Sequence, residues 1–177
     1  MTPNDELAQA RHALVAAGCD AVLLSSLANV TYVSGYEVPI PVGAHAEMAY
    51  GPDLALCSVR DKGGWLIVPA GAAESAARCS RLPEVIPFDG FDSFNPTDSQ
   101  NSFLSRVRGV LAEAGLANVA GTLGVEYRYL PFAVAALLAD EFPRLRLVDV
   151  EGAMQQARLI KTEREIGLLR RASHVAD

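Results

Sequence analysis

The stretch LALCSVRDKGGWLIV, Leu54 to Val68, carries the decision about the fold. Leu54 to Val59 and Gly64 to Val68 are two short apolar runs. Arg60-Asp61-Lys62-Gly63 between them is a polar, glycine-containing turn. Runs joined in this way predict a β-hairpin. A hairpin inside a chain that otherwise alternates helices with strands predicts a mixed sheet rather than an all-parallel one.

Upstream, Leu7, Ala10, Leu14 and Ala17 recur at helical spacing, which predicts a helix over Asp5 to Gly18, with Asn4 as N-cap and Gly18 in the C′ position. Ala21-Val22-Leu23-Leu24 follows as a short continuous apolar run, the pattern of a buried strand. Ser25 to Tyr36 begins as a loop or short helix and ends in a turn at Gly35. Glu37 to Pro52 contains Pro39, Pro41, Gly43, Gly51 and Pro52 and is not a regular element throughout.

Downstream, Gly71 to Cys79 is an alanine-rich helix and Glu84 to Phe88 a strand. Asp89 to Ser99 reads as loop, with Asp89 and Asp92 as turn residues that bond their own backbone. Asn101 to Gly115 presents one apolar face of Phe103, Leu104, Val107, Val110, Leu111 and Ala114. Thr122 to Glu126 is a strand, with Gly121 and Gly124 read as a turn before it. Leu130 to Phe142 is a helix with Pro131 in its first turn and Pro143 beyond its end, and Arg146 to Val150 is the last strand. The expected fold is α/β, a mixed sheet of about six strands covered by helices.

Composition narrows the function. Half the 177 residues are hydrophobic and 20 % are charged, enough to build a core and to exclude wholesale disorder. The net charge of −6 argues against a nucleic-acid surface. The uncharged stretch Ala21 to Tyr36 holds three Ser, an Asn and a Thr and is no membrane span. Thr2-Pro3-Asn4-Asp5-Glu6 is not the start of a signal peptide, so a cytoplasmic location is expected. Cys19, Cys57 and Cys79 form no C-x-x-C and are expected to be buried, reduced thiols. G-x-S-x-G, Walker A, G-x-G-x-x-G and H-E-x-x-H are all absent. His12 and His174 are expected at the surface. His45 and Glu47 are two potential ligands on a Pro/Gly-rich loop, short of the three or four that zinc takes. The residues by themselves define no catalytic constellation.

The last twenty residues differ from the rest, carrying five Arg/Lys against three Asp/Glu in an otherwise acidic chain. Thr162-x-x-Glu165 is a capping box, and Ile166, Leu169, Ala172 and Ala176 follow at helical spacing, so a helix starts near Glu163. Ala157-Arg158-Leu159-Ile160-Lys161-Thr162-x-x-Glu165-Ile166-x-x-Leu169-x-x-Ala172 resembles the linker helix of the creatinase/prolidase/aminopeptidase P family. Asn29-Val30-Thr31-Tyr32-Val33-Ser34-Gly35-Tyr36 is similar to the signature of that family's N-terminal domain. Asn29, Tyr32, Gly35 and Tyr36 carry the second match; Arg158, Lys161, Thr162 and Glu165 carry the first.

The resemblance implies a non-catalytic N-terminal α/β domain over residues 1–157 and, over 158–177, the start of a linker helix to a catalytic domain that the chain lacks. It implies a Xaa-Pro peptidase as parent, with a creatinase-like amidinohydrolase as alternative. It implies no metal or catalytic residue here. Two divalent metals (manganese, cobalt or zinc) are expected in the missing domain. It further implies a homodimer, in which the loop Glu37 to Pro52 helps to shape the substrate cleft through His45, Glu47 and Tyr50. A freestanding α/β interaction module, whose last helix docks on a partner, is the alternative from another class.

Overall fold

The computed structural model describes residues 6–40, 50–59, 63–92, 94 and 96–176. Among them lie α1 (Glu6–Ala16), β1 (Ala21–Leu24), α2 (Leu27–Ser34), β2 (Leu54–Ser58), β3 (Gly64–Pro69), α3 (Ala73–Cys79), β4 (Glu84–Phe88), α4 (Ser99–Glu113), β5 (Gly121–Val125), α5 (Phe132–Glu141), β6 (Leu145–Asp149), α6 (Glu151–Leu159) and α7 (Glu163–Ala176). A 3-10 turn, Ala70–Ala72, leads into α3.

The strands form one sheet in the order β4-β3-β2-β1-β5-β6. The expected hairpin is present: β2 and β3 pair antiparallel, Leu54 opposite Ile67 and Cys57 opposite Gly64. β1 also pairs antiparallel with β2, and every other neighbouring pair is parallel. β2 alone therefore runs against the rest. The carboxyl ends of the other strands share one edge of the sheet, where open α/β sheets bind ligands.

Side-chain alternation assigns the layers. Val22, Leu24, Ala55, Cys57, Leu66 and Val68 face one core with Leu7, Leu14, Val30, Val33 and Met154 from α1, α2 and α6. Ala21, Leu23, Leu54, Leu56, Trp65 and Ile67 face the other, with Phe103, Val107 and Leu111 of α4 and Val134 and Leu138 of α5. Adjacent strand residues point to opposite faces, and both faces are covered. This is the expected mixed, helix-covered sheet. Phe88 meets Phe103 edge to face, with centroids 5.1 Å apart. Arg108 pairs with Glu141 through two 2.6 Å contacts that tie α4 to α5.

Several local readings change. Of the loop or short helix expected over Ser25 to Tyr36 it is the helix that forms, capped by the Ser26 hydroxyl on the Asn29 N–H and closed, as expected, at Gly35. α4 starts at Ser99, because the Asp98 side chain caps it at the Asn101 N–H. Pro131 is the N-cap of α5 rather than a helical residue. Gly121 and Gly124 lie inside β5, not in a turn before it. A Cβ at Gly124 would stand 2.6 Å from Val150 Cγ1, so the β6–α6 turn packs directly on bare backbone. The sequence reading has no counterpart of α6, whose one buried residue is Met154. Cys79 is exposed, contrary to expectation, because α3 buries only Ala76. Cys19 and Cys57 are buried as expected. β4, at one edge of the sheet, contains Pro87. Among the described residues no helix is long and apolar enough to cross a membrane.

Candidate functional site

The two motifs singled out in the sequence meet in space. Glu126, just past β5, is fully buried and accepts hydrogen bonds from the Ser25 N–H (2.7 Å), the Ser26 N–H (2.8 Å) and Asn29 Nδ2 (2.7 Å). One carboxylate thereby fixes the start of α2 over the sheet. Asn29 Oδ1 in turn accepts from the Arg158 guanidinium at 3.2 Å. The Tyr32 hydroxyl donates between Gln9 Oε1 at 2.6 Å and the Ala157 carbonyl at 3.1 Å. Burial, then the fields of Glu165 and Glu6, push the Tyr32 phenol up to about 12, so it acts as a neutral donor.

A second carboxylate gathers the other members. Glu6, 2 % exposed at the start of α1, accepts from the Thr162 hydroxyl (3.0 Å) and from Arg164 (3.1 Å), and pairs with Arg81. Burial pushes the Glu6 carboxyl up, but a backbone hydrogen bond, the Arg81 guanidinium and the Thr162 hydroxyl together hold it below its ordinary value. The capping box is formed: the Thr162 N–H donates to Glu165 Oε2 at 2.9 Å and the Glu165 N–H to Thr162 Oγ1 at 3.1 Å. Lys161 donates to the Arg158 carbonyl.

Gly35 explains its place in the signature. Its φ is +72°, and a Cβ there would lie 2.5 Å from Arg81 Nε. The Arg81 side chain crosses bare backbone at Gly35, donates to the Tyr32 carbonyl at 3.3 Å and continues to Glu6. Asn29, Tyr32, Gly35, Arg158, Thr162 and Glu165 thus belong to one hydrogen-bonded junction between α2 and the α6–α7 corner. Glu6, Arg81 and Glu126, which hold it together, are absent from the sequence reading, because nothing around them separates a buried carboxylate from a solvated one. A groove of about 580 Å³ runs along the junction, between Glu37, Ile40, Arg158, Lys161 and Leu168.

A different cavity, about 630 Å³, opens at the carboxyl edge of the sheet. Leu27, Tyr36, Val38, Ile40, Pro52 and Tyr129 give it apolar walls, and Ser25 and Asp53 are its polar lining beside Ser26. Tyr36, 5 % exposed, has its phenol pushed up by burial. Tyr50 lies apart, packed edge to face on Phe103 with centroids 5.7 Å apart. His45 and Glu47 lie outside the described residues. His12 and His174 are exposed. Asp92 accepts from the Phe94 N–H at 2.8 Å, the turn bond expected of it. Cys57 is pushed up to about 12 by burial, and Cys19 upward, so neither is a ready nucleophile. Among the described residues no group of three or more His, Cys, Asp or Glu is placed to hold a metal ion. The junction positions the start of α7 against α1 and α2.

Residues 7–160 match the family model for the creatinase/prolidase N-terminal domain. The creatinase of Bacillus sp. (strain B-0618) is 28 % identical over 168 residues, which cover 94 % of this chain and 36 % of that protein. The chain thus spans little more than a third of this curated relative. The Xaa-Pro dipeptidase from Bacillus anthracis superposes with a TM-score of 0.63 at 19 % identity, over 94 % of this chain and 38 % of that one. The N-terminal domain of cytoplasmic peptidase PepQ from Mycobacterium tuberculosis H37Rv superposes with a TM-score of 0.57 at 21 % identity, over 86 % of this chain and 97 % of that one. At these identities the two structures speak for the fold.

Proposed function

The chain belongs to the creatinase/prolidase N-terminal domain family, and from that premise we propose that it serves as the non-catalytic N-terminal domain of a Xaa-Pro peptidase of the prolidase or aminopeptidase P kind. In this reading a hydrolase domain follows α7, holds two divalent metals (manganese, cobalt or zinc) and carries out the chemistry. The present chain contributes to a homodimer and shapes the substrate cleft with its Glu37–Pro52 loop. The parent protein works in the cytoplasm.

The observation that carries this reading is the junction. Glu6 binds Thr162 and Arg164, and Asn29 binds Arg158, so the start of α7 is locked to the domain by groups buried or half-buried. Among the described residues, none of α7 is buried against this domain. A helix fixed at its base and open along its sides suits a connector to a further folded unit. The chain covers 36 % of the creatinase relative and 38 % of the Xaa-Pro dipeptidase, and in both proteins the remaining length has room for such a unit.

The creatinase relative, at 28 % identity, favours a second reading, in which the parent is a creatinase-like amidinohydrolase. Assays of the full-length protein with X-Pro dipeptides, longer X-Pro peptides and creatine, each with manganese, cobalt or zinc, separate the two. Turnover of X-Pro bonds is expected. Turnover of creatine alone selects the second reading, and no turnover of any of them overturns both.

A further inference from the structure

We propose that the cavity at the carboxyl edge of the sheet is a binding site for a small primary ammonium compound carrying an apolar group, held by the Asp53 carboxylate and the Ser25 hydroxyl. Both residues line that cavity. Leu24 is opposite Ala55 in the antiparallel β1–β2 pair, so Ser25–Ser26 and Asp53–Leu54 lie side by side where the strands run out.

The cavity has the size and lining of a small-molecule site. Its volume of about 630 Å³ falls within the usual range, and apolar side chains dominate its walls. Two of its polar groups, the Ser25 hydroxyl and the Asp53 carboxylate, lack partners among the described residues. Ser25 is 6 % exposed, and no described residue hydrogen-bonds its Oγ. No hydrogen bond or ion pair from a described residue reaches the Asp53 carboxylate, and no Lys, Arg or His lines the cavity among the described residues. An unpartnered buried hydroxyl and an uncompensated carboxylate both cost stability, and native proteins seldom keep either without use.

The missing partner can be specified. Both groups accept hydrogen bonds, and one of them carries negative charge. An ammonium group offers donors only, together with the opposite charge. A carboxylate ligand is repelled by Asp53, and an alcohol supplies a donor without charge. The walls of Leu27, Val38, Ile40 and Tyr129 then take an alkyl or aromatic body. Burial pushes Asp53 up to about 6, the mark of a carboxylate short of a counter-ion. Val38, Ile40 and Pro52 belong to the Glu37–Pro52 loop of the proposed cleft, but the test reads binding to this chain alone and not turnover, so a failed binding test leaves the peptidase reading intact.

The test titrates the 177-residue chain with 2-phenylethylamine, 2-phenylethanol and phenylacetate, by calorimetry and by amide-resolved NMR at a pH near 7.5. The amine is expected to bind about tenfold or more tighter than the alcohol, the equivalent of one charge-assisted hydrogen bond, with phenylacetate weakest. Shifts should centre on Ser25, Leu27 and Asp53. Asp53→Asn should remove the preference for the amine, and Ser25→Ala should weaken amine binding several-fold. Should Asp53→Asn fail to fold, the wild-type chain decides through pH. The preference must fade below about pH 6 as Asp53 takes up a proton, since the titratable groups lining the cavity beside it are the phenols of Tyr36 and Tyr129. No binding, equal affinity for amine and alcohol, shifts centred elsewhere, or a preference that survives below pH 6 overturns the proposal.

Discussion

Glu6 accepts a hydrogen bond from the Thr162 hydroxyl at 3.0 Å, across 156 positions of sequence. The first residue of α1 thereby holds the residue that opens α7. Glu6→Gln keeps the shape and removes the charge that Arg81 and Arg164 share. A loss of about 1.5–3 kcal/mol in unfolding free energy is expected, the usual worth of hydrogen bonds to a charged group. Urea denaturation of both proteins measures it, and an unchanged midpoint would refute the role.

The same carboxylate sets a pH dependence. Its folded pKa lies below the ordinary 4.5, so its contribution is complete above that value and disappears as pH falls through the folded pKa. The stability gap between wild type and Glu6→Gln should be constant from neutral pH to about pH 5 and close progressively below pH 4.5. A gap that widens on acidification contradicts the assigned sign.

Gly35→Ala meets two obstacles, a left-handed φ of +72° and a Cβ 2.5 Å from Arg81 Nε. The backbone term alone is about 1–2 kcal/mol. Adding Arg81→Ala should relieve the crowding but not the backbone term, so the cost of Gly35→Ala should be smaller in the Arg81→Ala background. Strict additivity in a double-mutant cycle would count against the contact.

Among the described residues none of α7 is buried, whereas α4 buries Phe103, Val107, Val110 and Leu111. A helix of its length relies on packing for protection. Amides of Glu163–Ala176 should exchange faster than those of Ser99–Glu113 in the monomeric chain. Equal protection in a proven monomer would place α7 in the domain's own core and weaken the linker reading.

Thiol chemistry should divide the cysteines. Cys79 is exposed while Cys19 and Cys57 are buried. A disulfide reagent should modify one thiol quickly in the native chain and the remaining two only on unfolding. Rapid native modification of all three would contradict the buried placements.

Much of this molecule is legible in its sequence because local signals and packing agree. The hairpin around Arg60 to Gly63, the α4 stripe and the Thr162–Glu165 box each state locally what the fold needs. α6 is not legible, since Glu151 to Leu159 buries only Met154 and carries too short an apolar stripe. Cys79 misleads because an alanine-rich helix with one buried side chain leaves its flank in solvent. The junction is half legible. Its motif residues stand out, but Glu6 and Glu126 acquire their meaning only from partners about a hundred or more positions away, a distance that no local pattern spans.

Pro87 has a consequence for assembly. β4 is a terminal strand, and a proline within it removes a main-chain donor along the outer rim, where a foreign strand would have to hydrogen-bond. The opposite rim, β6, bears Arg146 and Asp149, whose charges discourage the same event. Both flanks are thus protected against templated, amyloid-like growth, even though the strands between them are among the most apolar segments of the chain. A strand-to-strand contact between copies would have to form at one of these two guarded rims.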